Sequence, residues 1–343
     1  MDSLTQIVLG AAVGEALLGN KIGNKALLLG AIAGTIPDLD VFLKLINDSP
    51  IFELKTHRSY SHSGVVHIFL AFPFAWLSSK WSKAEISFQR WYWFWFLGFF
   101  THALLDCCTT YGTRLFLPFS KYQVAFNNIS VIDPLYTVPF LILLIITMFY
   151  RRATVKRKNW FLTAVYVSSA YMLLTFGLKL AVHEKFKNTL QRDQIEFTEL
   201  NSTPTILNAI LWSGIAYNAD SLYCAEYSFM RPDVPIKWVG YPRNLSLMQG
   251  YQSDALETLE WFSDGNYFML PKGDSAMQFY TVKFGRTRFD VKNPEEAFMF
   301  YTEFRKSENG DITYESRTPA NARKGASMKM FFNLLMQRIG IYK

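Results

Sequence analysis

The 343 residues are 50% hydrophobic and 17% aromatic but only 18% charged, which excludes an intrinsically disordered chain, since disorder requires low hydrophobicity and high charge. The length allows two domains. Residues 1–182 hold 16 Lys+Arg against 9 Asp+Glu, whereas residues 183–343 hold 19 of each, so the whole net charge of +7 lies in the apolar half. That placement argues against a nucleic-acid surface and suits a membrane protein with basic cytoplasmic loops.

The opening Met-Asp-Ser-Leu-Thr-Gln lacks the basic start of a secretory signal, so the first apolar stretch is expected to be retained. Apolar stretches follow at about residues 4–18, 26–46, 64–79, 91–110, 131–150 and 160–182. Only Ile132 to Tyr150 and Trp160 to Val182 read as clean spans of about 20 residues. The earlier ones are interrupted by Glu15, Asp38, Asp40, His102 and Asp106, and read as bundle helices burying a polar site among themselves. Gly10 with Gly14, and Gly30 with Gly34, permit close helix approach, most simply as packing. The run Trp91 to Phe100 reads as a lipid-facing or interfacial aromatic helix.

With about six spans, the loops at 19–25, 80–90 and 151–159 share one side and hold ten basic residues, Arg157 among them, against Lys55, Arg58, Arg114 and Lys121 opposite. The positive-inside rule then puts both termini and everything after residue 183 outside. From Glu184 the chain turns polar. Asn201 to Pro204 reads as a loop, and Ile206–Ala216, Ser221–Met230, Phe279–Phe289, Phe298–Arg305 and Asp311–Arg317 read as antiparallel strands. Helices are expected at about 252–262 and 324–338. The predicted fold is an all-α membrane-embedded bundle of about six helices over residues 1–182, then a mainly antiparallel α+β soluble domain over 183–343. Cys107, Cys108 and Cys224 are too few for a disulfide framework.

Three clusters carry the candidate chemistry: Pro37-Asp38-Leu39-Asp40, the run His57 to Ser63, and His102 to Asp106. His102 and Asp106 are four apart, which places them on one helical face. Asp38 and Asp40 straddle a helix end, where two half-buried carboxylates repel unless a proton or cation lies between them. His57 and His62 bracket a polar turn. Each piece alone is commonly a cap, a buried pair or a loop. Together they are costly to bury for packing only, so Asp38, Asp40, His57, His62, His102 and Asp106 are the candidate metal ligands. A divalent ion is implied, zinc first, with manganese or iron as alternatives. Arg58 is either an anion-binding group or a solvated loop charge. Glu15 is either an interhelical partner or part of the site. Asp133 reads as a helix cap, His67 as a supporting or packing residue, and His183 carries no expectation.

At these residues the sequence resembles the YdjM-like family of inner-membrane, LexA-binding, metal-dependent hydrolases. The shared elements are the opening hexapeptide with its Gly-rich helix, Pro-Asp-Leu-Asp at 37–40, His-Arg-Ser-Tyr-Ser-His-Ser at 57–63, and His-Ala-Leu-Leu-Asp at 102–106 followed by Thr-Thr-Tyr-Gly-Thr at 109–113. The resemblance covers roughly residues 1–180. It implies a bacterial inner-membrane, multi-pass location and a relationship to the zinc-dependent phospholipase C and P1-nuclease fold. It also implies the six ligands named above. Many relatives have His where this chain has Gln6, which leaves the metal number open. The expected function is hydrolysis of a phosphoester in a lipid or lipid-linked substrate, with Asp38 or Asp40 as general base and Arg58 on the phosphate. The competing expectations are a metal or proton transporter, and a membrane-anchored regulatory protein with a structural metal.

Overall fold

The computed structural model describes residues 1–288, 291, 293–298, 300–317 and 328–341. Contacts divide the chain into two compact units, Met1–Gly177 with Ile206–Asn208, and Leu178–Thr205 with Ala209–Lys343.

In the first unit, α1 (Ser3–Ile22) starts where the Asp2 carboxylate accepts the Thr5 amide at 3.1 Å, satisfying one of the free amides of a helix start. The chain turns at Gly23, φ 61, into α2 (Asn24–Thr35). These helices cross on glycine. A Cβ at Gly10 would strike the Gly30 carbonyl oxygen, one at Gly14 the Ala26 carbonyl oxygen, and one at Gly34 the Gln6 carbonyl oxygen. Backbone therefore lies directly on backbone, which only the smallest residue permits.

At Pro37 the α2 path tightens into a 3-10 segment, Ile36–Leu45, followed by α3 (Pro50–Thr56), a 3-10 turn at Tyr60–His62 and α4 (Gly64–Trp81). Ser63 caps α4 by accepting the Val66 amide at 3.3 Å and donates to the Leu117 carbonyl at 2.6 Å, tying the 57–63 run to a later loop. α5 (Phe88–Cys107) follows. Its Trp91, Phe94, Trp95 and Phe99 are buried while Trp93 is exposed, which restricts the lipid-facing reading to one side of that run. The helical period gathers the buried rings on one stripe, packed with Phe74 of α4, and His102 and Asp106 continue the same buried face. α6 (Pro134–Met148) is capped by Asp133, which accepts the Leu135 amide at 3.0 Å and the Tyr171 hydroxyl at 2.9 Å. α7 (Val155–Arg192) passes through the division between the units.

Two helical stretches among the described residues are long and apolar enough to cross a membrane, Asn24–Leu45 and Val155–Arg192. The expected six spans are corrected to these two. α6 has 15 residues, short of the roughly 20 that cross a hydrocarbon core, while polar groups such as Glu15, His102 and Asp106 interrupt α1 and α5. The count of crossings that placed the C-terminal half outside falls with that correction. Leu173, Leu174 and Leu180 of α7 are exposed, a surface that suits lipid rather than water.

The second unit holds two four-stranded antiparallel sheets, each in sequential order. The first is β1 (Glu199–Pro204), β2 (Leu211–Tyr217), β3 (Ser221–Ser228) and β4 (Val239–Pro242). The second is β5 (Tyr267–Lys272), β6 (Ala276–Thr281), β7 (Tyr301–Lys306) and β8 (Ile312–Arg317). Ile215, Leu222 and Tyr241 pack with Phe268, Tyr280 and Phe298 in one core. The loop expected at 201–204 is instead an edge strand paired with β2, a place where a proline such as Pro204 is tolerated. β4 and β5 were not foreseen, and the strand expected to reach Phe289 ends at Thr281, Phe289 itself lying outside the described residues. α8 (Asp254–Ser263) matches its expectation, α9 (Pro294–Ala297) is one short turn, and α10 (Met328–Ile339) overlaps the expected 324–338, whose first four residues lie outside the described ones.

Glu15 is not part of the candidate site. It forms a two-pronged pair with Arg157, 2.7 Å at Nε and 2.6 Å at Nη2, both side chains buried. Arg157 is thus no loop charge, and it also donates to Asn24 at 2.8 Å and the Tyr150 carbonyl at 2.9 Å. Removing one member strands the other. Arg157→Ala is expected to destabilise the unit by about 3–5 kcal/mol, whereas the paired change Glu15→Leu with Arg157→Met costs less. Thermal melting in detergent of both variants checks this, and equal losses would count against the pair.

Candidate metal centre

α5 supplies His102 and Asp106 from adjacent turns of its buried face, the 57–63 run supplies His62, and the 3-10 segment after Pro37 supplies Asp38. His62, His102 and Asp106 are buried, and the Asp38 side chain keeps 21% of its surface exposed. The cluster is open on the Asp38 side only by that margin. One donor atom from each of these four residues lies within 4.8 Å of all the others. His62 Nε2 is 3.1 Å from His102 Nε2, 3.3 Å from Asp38 Oδ1 and 3.1 Å from Asp106 Oδ2, while His102 Nε2 is 3.3 Å from Asp38 Oδ1 and 3.7 Å from Asp106 Oδ2.

These spacings can be tested against a cation. Tetrahedral nitrogen and oxygen ligands at zinc-type bond lengths stand about 3.3 Å apart. The protonation pattern points the same way. His102 Nδ1 meets the Gly34 carbonyl oxygen at 2.6 Å; a carbonyl only accepts, so Nδ1 carries the proton and Nε2 presents a lone pair in the neutral ring. That lone pair faces another ring nitrogen and two carboxylates. Asp106 Oδ2 is buried and accepts no well-formed hydrogen bond, although Arg58 Nε is 3.0 Å away. Buried acceptors crowded this closely are stabilised by a shared positive charge, and the donor set fits a divalent metal.

Asp106 is braced on its other oxygen. Gln6 Nε2 donates to Oδ1 at 2.9 Å and to the His102 carbonyl at 3.2 Å, and the Met1 amino group also pairs with Oδ1. Gln6 therefore presents its amide nitrogen to the cluster, and its oxygen takes no hydrogen bond. Arg58 is 4% exposed, which removes the solvated-loop reading. Its Nη1 donates to Thr109 at 3.0 Å and its guanidinium lies 4.9 Å from the Tyr111 ring centre. Its φ of 54 is unusual for a side-chain-bearing residue and allows backbone and side chain to serve opposite ends of the cluster.

The remaining two candidates sit beside the four. Asp38, Asp40 and His57 also bring one donor atom each within 4.8 Å of one another, with His57 Nδ1 2.8 Å from Asp40 Oδ1. Arg114 holds the His57 backbone through the Lys55 and His57 carbonyls at 2.6 and 3.1 Å. His183 lies elsewhere, 3.3 Å from Ser202. Sequence reasoning did not single out Tyr111, Thr109, Ser61 or the Gly34 carbonyl. The first two sit in the 109–113 motif, a usable signal; a backbone carbonyl leaves none.

The sequence model of the YdjM inner membrane protein family matches residues 1–181. The chain belongs to that family. The match ends within α7 and takes in all six candidate ligands. No curated protein and no solved structure matches the chain. The YdjM assignment gives an inner-membrane character consistent with the exposed apolar side chains of α7, while the group of His and Asp residues able to hold a metal ion is read from the geometry.

Protein purified in detergent without chelators is expected to carry a bound divalent transition metal that disappears in His102→Ala and persists in His183→Ala, read by elemental analysis. Wild-type protein free of transition metal would remove the centre.

Proposed function

We propose that this YdjM-family chain is a membrane-bound, metal-dependent hydrolase of a phosphoester in a lipid or lipid-linked substrate. The observation that carries the reading is the buried convergence of His62, His102, Asp38 and Asp106 with an opening at Asp38. A divalent ion, zinc first, would lower the pKa of bound water toward neutrality and polarise a phosphoryl oxygen when held there. Asp38, the carboxylate that solvent reaches, is the better placed of the two proposed bases, since the Asp40 side chain is only 4% exposed. Arg58 is spent on Asp106 and Thr109, so its role moves from gripping substrate to balancing the Asp106 charge. The lipid element is supported by exposed apolar side chains in the same short segments: Leu39 between Asp38 and Asp40, Phe42 one turn on, and Tyr60 between His57 and His62. A headgroup at the open side of Asp38 with acyl chains along those residues would satisfy both chemistries. A relationship to phospholipase C and P1 nuclease is proposed as part of this reading and carries the expectation of phosphorus chemistry.

A second reading has its own support. Four protein donors can complete a tetrahedral shell, the pattern of a structural rather than a catalytic zinc. Turnover separates the two. Detergent-solubilised protein is expected to hydrolyse a member of a phospholipid and lipid-linked phosphate panel, to lose that activity by at least about 100-fold on chelation, in line with loss of an activated water, and to regain it with zinc. His62→Ala should lose it irreversibly while still folding. If chelation lowers only the melting temperature and no substrate turns over, the metal is structural; metal flux in proteoliposomes without turnover would indicate a transporter.

A further inference from the structure

Asp40 is bonded differently from the four residues of the buried group. Its Oδ1 takes the His57 Nδ1 proton at 2.8 Å, and its Oδ2 takes the Arg58 backbone amide at 2.9 Å and the Ser61 hydroxyl at 2.6 Å. A carboxylate so supplied has little acceptor capacity left for an ion. The 2.8 Å separation from His57 is a hydrogen-bond distance, shorter than the roughly 3.3 Å between two ligands of one tetrahedral ion. Asp40 and His57 therefore pair with each other rather than with a second cation.

Ser61 turns this pairing into control of a ligand. A serine hydroxyl has one proton, and here it is given to Asp40. The same Ser61 oxygen lies 2.9 Å from His62 Nδ1, so it accepts, and Nδ1 must carry the proton. His62 Nε2 is left with its lone pair, aimed at His102, Asp38 and Asp106. His67, fully buried on α4, donates Nε2 to the Ser61 carbonyl at 2.7 Å and holds this residue in place from behind.

We infer that Ser61, oriented by Asp40 and tethered by His67, is a positioning residue that fixes the tautomer of His62, and that the centre takes a single ion with Asp40 and His57 outside its coordination shell. The inference rests on the metal reading of the four-residue group and is independent of hydrolysis. Outer hydrogen bonds of this kind typically carry a 10- to 100-fold effect on metal affinity.

The test is cobalt titration of the full chain in detergent after chelator stripping, followed by its visible absorption. Wild type, Ser61→Ala and Asp40→Asn are all expected to saturate at one equivalent, with the two variants about 10- to 100-fold weaker. Ser61→Thr, which keeps the hydroxyl, should return close to wild-type affinity. Equal melting temperatures of the stripped Ser61→Ala and wild-type proteins would separate ligand orientation from folding. Unchanged affinity in Ser61→Ala, or two equivalents in wild type falling to one in Asp40→Asn, overturns the inference. Absence of any cobalt binding by wild type overturns the metal reading itself, a result distinct from either of those.

Discussion

Two imidazole nitrogens 3.1 Å apart, with carboxylate oxygens at similar distances, call for a proton or a cation between them. The rest of the first unit is arranged around that constraint. Three participants are fixed from the far side: His102 by a backbone carbonyl, Asp106 on Oδ1 by Gln6 and the Met1 amino group, His62 by the turn that contains it. The inner faces are left short of protons. This is how a preorganised ion site differs from an ordinary buried polar network, in which donors and acceptors are matched.

The glycine crossing of α1 and α2 belongs to the same construction. Gly34 touches the Gln6 backbone in the crossing and offers its carbonyl to His102. Bulk at Gly34 would drive α2 from α1 and carry that carbonyl away from the imidazole. The small-residue spacing therefore acts on the ligand geometry through the backbone, and Gln6, on the facing turn of α1, donates to Asp106 of α5.

The His102 and Asp106 spacing, the Asp38 cluster and the 57–63 run could be read from residue type and helical period, because side chains on one helical face meet whatever surrounds them. The same periodicity, applied to Trp91, Phe94, Trp95 and Phe99, would have shown a buried stripe, but overall aromatic content suggested lipid instead. Span counting failed for a physical reason. Apolar composition cannot distinguish a helix facing lipid from one facing other helices, and Pro134–Met148 is apolar enough but too short. Edge strand β1 was hidden by Asn, Ser, Thr and Pro, residues that favour turns unless a neighbouring strand satisfies the backbone. The separation of Asp40 from the ligands was equally unreadable, since it depends on which proton each neighbour has to give.

The first unit contains two buried charged centres, and their difference bears on function. At Glu15 and Arg157 one negative and one positive side chain meet in bidentate contact, and further guanidinium protons reach Asn24 and a carbonyl. That centre is balanced by the protein alone, as a structural pair must be. Around Asp106 the guanidinium of Arg58 and the Met1 amino group meet that carboxylate, Asp38 meets the His62 and His102 nitrogens, and Asp40 is paired with His57 outside the group. His62 and His102 direct their Nε2 atoms toward Asp38, where the group opens toward solvent. A closed bidentate pair at one centre and convergent donor atoms that reach solvent at the other set the two apart, and it is on that contrast that the proposed metal reading rests.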